Sequence, residues 1–130
     1  LGEGSYGTVE LVKDKTTNEI FALKRIIFQN KEQREVAERE AKLLKDCDHP
    51  NIVKGISYYQ DDGFFKSEFG IIMEYCDGGS LVDLIKNRLI NRNSLSEPEI
   101  LSMMLQICHG VAYLHERKII HRDLKIVIFF

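Results

Sequence analysis

Cysteine is scarce in this chain, net charge is scarcer, and no apolar run is long enough to cross a bilayer. The three cysteines, Cys47, Cys76 and Cys108, form an odd count without C-x-x-C spacing. That argues against a zinc knuckle and a disulfide framework and points to a reducing compartment, intracellular and cytoplasmic. A net charge of −2 over 130 residues leaves no polybasic surface for nucleic acid or a membrane. A spanning helix needs about 20 apolar residues, and no stretch approaches that length. The 44% hydrophobic content still allows a real core for one domain. The chain starts at Leu1, without a methionine and one residue ahead of a glycine loop, and reads as a piece cut from something longer.

What is there begins at once. Residues 1–24 read LGEGSYGTVELVKDKTTNEIFALK, with Gly2, Gly4 and Gly7 in G-x-G-x-x-G spacing. Dinucleotide-binding folds use the same spacing, but they need a helix after the last glycine to face a pyrophosphate. Here Thr8 to Lys13 is rich in β-branched residues, with Val9 and Leu11 on one face, so it reads as a strand. Asp14 to Asn18 is a polar turn and Glu19 to Arg25 a second strand, which Ile26-Ile27-Phe28 completes. The glycines then sit at the tip of a hairpin, where missing Cβ atoms let backbone N–H groups approach an anion. Lys24 on the next strand is placed as a fixed cation for the same anion. This arrangement resembles the glycine-rich loop and strand-three lysine of the protein kinases, with Phe21-Ala22-Leu23-Lys24 in place of V-A-I-K.

Lys31 to Cys47 reads as a helix with Val36, Leu43 and Cys47 on one stripe, flanked by Leu44. Glu40 falls within that stripe. A carboxylate on an apolar face either reaches water at the rim or needs a cation, because burying it unpaired is costly. By resemblance Glu40 is the helix glutamate that pairs with the phosphate-binding lysine, here Lys24. Asp48-His49-Pro50-Asn51 stops the helix. Ile52 to Gln60 and Phe69 to Tyr75 read as two further strands, similar to strands four and five of the kinase small lobe. His49 lacks companions at ligand spacing and reads as structural. The resemblance implies that Met73 is the gatekeeper, that the backbone of Glu74 and Cys76 meets the adenine edge, that Ser80 lies near the ribose, and that Val9 and Ala22 cover the adenine face. Cys76 reads equally well as an ordinary buried thiol.

After the Gly78-Gly79 break, Leu81 to Leu89 reads as a short amphipathic helix. Ser96 and Glu99 form a capping box for a long helix, with Leu95 and Ile100 as its staple and Pro98 in the first turn. Ile100, Met104, Ile107, Val111 and Leu114 recur at helical spacing beside Leu101, Leu105, Cys108 and Ala112. A face this wide predicts a helix packed on several sides, the centre of a helical lobe. Then comes Ile119-Ile120-His121-Arg122-Asp123-Leu124-Lys125. A carboxylate there can orient and accept the proton of an attacking hydroxyl, and a lysine two residues on can neutralise charge on a transferring phosphate. HRDLK matches the kinase catalytic loop, which makes Asp123 the base by position; Lys125 is typical of the serine/threonine kinases. Arg122 would receive a phosphorylated activation loop. The stretches MEYCDGGSL and QICHGVAYLHERKIIHRDLK are similar to the never-in-mitosis-A-related group.

The resemblance implies an α+β fold: a kinase-like small lobe of antiparallel sheet plus one helix (1–75), a hinge (76–80) and an incomplete, truncated large lobe (81–130). It implies ATP-dependent phosphoryl transfer to serine or threonine hydroxyls of a protein substrate. Gly2, Gly4, Gly7 and Lys24 would hold the phosphates, Glu40 would position Lys24, and Asp123 and Lys125 would serve the reaction. ATP and Mg2+ are the implied cofactors, but the family's magnesium-holding asparagine after HRDLK is replaced here by Ile126-Val127-Ile128, and isoleucine has no lone pair for a cation. No D-F-G follows, so no metal ligand is assigned. The rival reading is a degenerate kinase that binds nucleotide or a partner without catalysis. A third, a dinucleotide-dependent oxidoreductase, is disfavoured by the strand after Gly7. The 130 residues alone are expected not to catalyse. They are also expected to be marginally stable or aggregation-prone, because half a helical lobe exposes apolar surface. A cooperative melting transition of the isolated chain would contradict that expectation.

Overall fold

The computed structural model describes residues 2–4, 7–63 and 67–124. Two compact units emerge: residues 1–48 with 53–75, and residues 49–52 with 76–130. In the first, five strands form one antiparallel sheet in the spatial order β1-β2-β3-β5-β4. These are β1 (Gly2–Gly4), β2 (Gly7–Lys13), β3 (Ile20–Phe28), β4 (Gly55–Asp62) and β5 (Ser67–Glu74), with helix α1 (Lys31–Asp46) inserted after β3. Asp14 makes the β2–β3 turn by accepting from the N–H groups of Thr16 at 2.7 Å and Thr17 at 2.8 Å. The strand predicted from Ile52 begins only at Gly55, because Ile52 N–H bonds back to His49 O at 3.1 Å and continues the turn.

Residues opposite one another across a sheet share a face. Val9 lies opposite Lys24, Ala22 opposite Leu11 and Met73, and Lys24 opposite Ile71. On that face Ile26, Phe28, Phe69 and Ile71 pack with Ala37 and Ala41 of α1, and Leu44 and Met73 join the edge. Phe69 and Ile71 are the largest fully buried side chains; each contributes about 1.5–3 kcal/mol by leaving water. The helix stripe differs from the one predicted. Cys47 is buried and Leu44 packs on the core as expected, but Val36 is 54% exposed and the buried positions within the helix are Ala37 and Ala41. Two methyl side chains let the helix axis come close to the sheet, and a larger residue at either site would push it away.

The opposite face carries a polar ladder across four strands. The Tyr59 hydroxyl donates to Glu68 Oε1 at 2.7 Å, Arg25 Nε donates to the same oxygen at 3.0 Å, and Arg25 reaches Glu10 at 3.6 Å. Glu68 holds the Arg25 charge more firmly than usual, while burial, seconded by the Glu68 bond, pushes the Tyr59 phenol up. The Tyr59 ring lies flat over Gly70, so closely that a Cβ there would overlap it.

In the second unit, α2 (Leu81–Ile90) and α3 (Glu97–Glu116) both start on capping boxes, Ser80 with Asp83 and Ser96 with Glu99. Glu99 does more: its other oxygen accepts from Arg88 at 2.6 Å, tying α2 to α3. Both helices end in Schellman turns with a left-handed residue that is not glycine, Arg92 (φ 51) and Lys118 (φ 60). The broad apolar face predicted for α3 is not buried among the described residues. Gly110 and Leu114 are, whereas Ile100, Leu101, Met104 and Leu105 are exposed. Within this unit, α2 does not pack along that face.

Gly70→Ala should destabilise the sheet unit by about 1–3 kcal/mol in urea unfolding of the whole protein, and the loss should shrink in a Tyr59→Ala background if the ring is the obstacle. The caps make a second prediction. Hydrogen bonds from the Ser80 hydroxyl and backbone lower Asp83 below its ordinary value, and those from the Ser96 backbone and hydroxyl do the same for Glu99, helped by Arg88. A lowered carboxylate gives stability that is complete above the unfolded-chain value, about pH 4, and lost as pH falls through the folded value. Helical ellipticity should therefore fall on acidification below about pH 4, and less steeply in the Ser80→Ala/Ser96→Ala variant.

Candidate functional site

The glycine hairpin is formed as the spacing requires. Gly4 lies opposite Gly7, and Gly2 opposite Val9. Gly7 adopts φ 138, and a Cβ on it would overlap the carbonyl oxygen of Arg25 on β3. Only glycine accepts both that backbone angle and that approach. The tip of the hairpin, Ser5-Tyr6, lies outside the described residues.

Lys24 comes from the middle of β3, on the face that α1 covers. Its Nζ donates to Glu40 Oε1 at 2.6 Å, with side-chain exposures of 21% and 37%. The helix places Glu40 through the same packing that forms the core. Ala37, Glu40, Ala41 and Leu44 fall at i, i+3, i+4 and i+7, so seating the alanines on the sheet turns the carboxylate toward β3. A charge-assisted bond this short orients the ammonium while the lysine's remaining N–H groups can serve an anion. Glu40 thus has its cation rather than water at the rim.

Val9, Ala22 and Met73 share the Lys24 face, with Ala22 buried and Met73 packed against the core. A small residue beside an unbranched one gives a shallow apolar floor next to the cation. Glu74 ends β5; its N–H donates to Lys54 O at 3.0 Å, and its carboxylate accepts from Lys54 N at 2.6 Å. This clasp between Glu74 and Lys54 was not anticipated, since it depends on the β4 edge. Cys76 is half-buried.

In the second unit Ser80 is 5% exposed, and its hydroxyl is occupied at the α2 cap. It donates to the Asp83 carboxylate and accepts from Asp83 N–H at 3.2 Å. The resemblance sets Ser80 near a ribose; what the structure shows is its hydroxyl engaged in the α2 cap, for which the S-x-x-D spacing at 80–83 carries the signal. Asp123 is exposed, and its N–H donates to His121 Nδ1 at 3.3 Å. Between them Arg122 takes a left-handed backbone, φ 64. For a residue with a Cβ that costs on the order of 1–2 kcal/mol, and it turns the chain so that Asp123 follows a sharp reversal. Such strain gathers where a side chain must be aimed. His121 was not singled out from sequence, although its i, i+2 relation to Asp123 is readable there. Lys125 and the Ile126 to Phe130 segment lie outside the described residues. Among the described residues no group of His, Cys, Asp or Glu is arranged to hold a metal, and no helix is long and apolar enough to cross a membrane.

The protein kinase domain family matches residues 1–127. Among curated relatives, the chain is 38% identical over 125 residues to serine/threonine-protein kinase Nek3 of Mus musculus, covering 96% of this chain and 23% of that protein. It is 37% identical over 126 residues to serine/threonine-protein kinase 1 of Arabidopsis thaliana, covering 96% of this chain and 14% of that protein. The cell cycle serine/threonine-protein kinase CDC5/MSD2 of Saccharomyces cerevisiae is 38% identical over 134 residues, covering 100% of this chain and 18% of that protein. The chain therefore spans less than a quarter of the length of these relatives. With a glycine hairpin, a strand lysine paired to a helix glutamate and a family match from residue 1 to 127, this chain belongs to the protein kinase domain family.

Proposed function

We propose that the protein carrying this chain is an ATP-dependent serine/threonine protein kinase. The observation that carries the reading is the 2.6 Å bond between Lys24 and Glu40. It is an oriented cation on the sheet face that also presents Val9, Ala22 and Met73. ATP has the matching chemistry: an anionic phosphate chain joined to a flat apolar base. In this reading residues 1–75 form the small lobe, 76–80 the hinge and 81–130 the start of the large lobe. The backbones of Gly2, Gly4 and Gly7 cradle the phosphates together with Lys24, and Glu40 keeps Lys24 in place. Val9 and Ala22 cover the base, with Met73 as gatekeeper. The backbone of Glu74 and Cys76 meets the adenine edge. Because the Glu74 N–H is held by Lys54, its carbonyl oxygen is the atom left for that edge. Ser80 lies near the ribose.

Asp123 then orients the serine or threonine hydroxyl and accepts its proton, while Lys125 stabilises charge on the transferring group. Magnesium, when bound with ATP, would supply charge neutralisation. The described residues offer no cluster to hold it, and Ile128 stands where the family has its asparagine, so no metal ligand is assigned. That substitution favours a second reading, a kinase-like module that binds nucleotide or a partner protein without transferring phosphate. Three cysteines, an odd count without C-x-x-C spacing, fit a reducing, cytoplasmic setting for either.

Phosphate transfer from labelled ATP to serine and threonine peptides by the whole protein separates the two. Asp123→Asn should lower transfer by about 10²–10⁴-fold and leave ATP binding, read by thermal shift, nearly unchanged. ATP binding with no transfer in the unsubstituted protein would select the binding module.

A further inference from the structure

The turn after α1 holds a histidine that phosphoryl transfer does not use. Cys47 and Asp48 alone separate α1 from this turn, yet residues 49–52 group with the second unit. Ile52 N–H closes the turn on His49 O at 3.1 Å. The turn is seated on α3 by three contacts. The His49 ring lies 4.9 Å from the Tyr113 ring, tilted by 44°. Asn51 Nδ2 donates to Gln106 Oε1 at 3.3 Å. The Asn51 carbonyl sits so near Gly110 that a Cβ there would come within 2.8 Å of its oxygen. Within the turn, His49 Nδ1 accepts a hydrogen bond from Asn51 N–H at 3.1 Å.

That last bond exists in one protonation state only. A neutral imidazole keeps a lone pair on Nδ1 when its proton is on Nε2, whereas an imidazolium carries N–H on both nitrogens. Adding a proton from solvent to Nδ1 sets donor against donor and leaves Asn51 N–H without this acceptor. Tyr113 also meets Arg117, whose guanidinium carbon is 3.6 Å from the ring centroid. Asp48, the adjacent carboxylate, is 92% exposed at its side chain and lies 3.9 Å from Lys54. Free imidazoles change charge between about pH 5 and 8, which sets the range over which the bond can be tested.

We propose that His49 is a pH-sensitive latch: while neutral it fastens the 49–52 turn to α3 through Asn51, and when protonated it loosens that turn. The proposal stands apart from the phosphoryl-transfer reading and concerns the segment that leads out of the helix carrying Glu40.

The test is a nuclear magnetic resonance titration of the whole protein from about pH 8 to 5, with the His49 ring and the Asn51 amide assigned by selective labelling. The amide protection of Asn51 should fall roughly five- to tenfold along the His49 titration curve, with the Gln106 resonance moving in step. His109, His115 and His121 serve as internal references. In His49→Phe, which keeps an aromatic ring and has no acceptor, Asn51 should be poorly protected at every pH. An Asn51 amide that ignores the His49 titration in the unsubstituted chain overturns the proposal, whatever the variant does. So does a pH transition at Asn51 that persists in the variant.

Discussion

A carboxylate carried on a packed helix face has to find a cation, and in this chain that requirement ties the core to the site. Ala37 and Ala41 draw α1 down onto β3 and β5, and the helical repeat then fixes Glu40 beside Lys24. The sheet register does the rest, setting Val9, Ala22 and Met73 on the same face as that lysine. Packing, charge placement and the apolar floor follow from one seating of one helix. A larger residue at position 37 or 41 would act on the ion pair without touching it, by lifting the helix. The ion pair's value is chiefly geometric, because partly exposed pairs contribute little to stability.

The second unit is held differently. Its helices bury little among the described residues, and much of their definition is polar and local. Two capping boxes start them, a Glu99–Arg88 bond joins them, and two Schellman turns end them. The chain thus pairs a sheet unit ordered by apolar burial with a helical unit ordered largely by its ends. At the turn before Asp123 the same local logic appears, with His121 receiving the Asp123 N–H across a left-handed Arg122.

Much of this was legible from residue order. The strand after Gly7 and the Ser96–Glu99 box are local relations that spacing expresses directly, whereas the helix pattern shows only that Glu40 needs water or a cation, and the family resemblance supplies Lys24 as its partner. What spacing did not express depended on distance between neighbours. The buried stripe of α1 was misplaced onto Val36 because hydrophobicity alone favours valine, while close approach to the sheet favours alanine. Burial of the α3 face was expected from its composition, but within its unit α2 does not cover it. The Tyr59–Gly70 contact requires the β4–β5 register, and the Glu74–Lys54 clasp requires the turn before β4. Neither is a pattern within one segment. Lys118 and Arg92 at left-handed positions escaped notice because helix ends are usually read from glycine.

The central claim is that Glu40 acts on a bound phosphate chain only through Lys24. A double-mutant cycle on nucleotide affinity in the whole protein tests it, using Lys24→Met, Glu40→Gln and both together, with calorimetry as the readout. The account predicts strong coupling: once Lys24 is gone, removing the Glu40 charge should change affinity by less than about twofold. Additive losses would show that Glu40 reaches the nucleotide by another route, and would contradict the account.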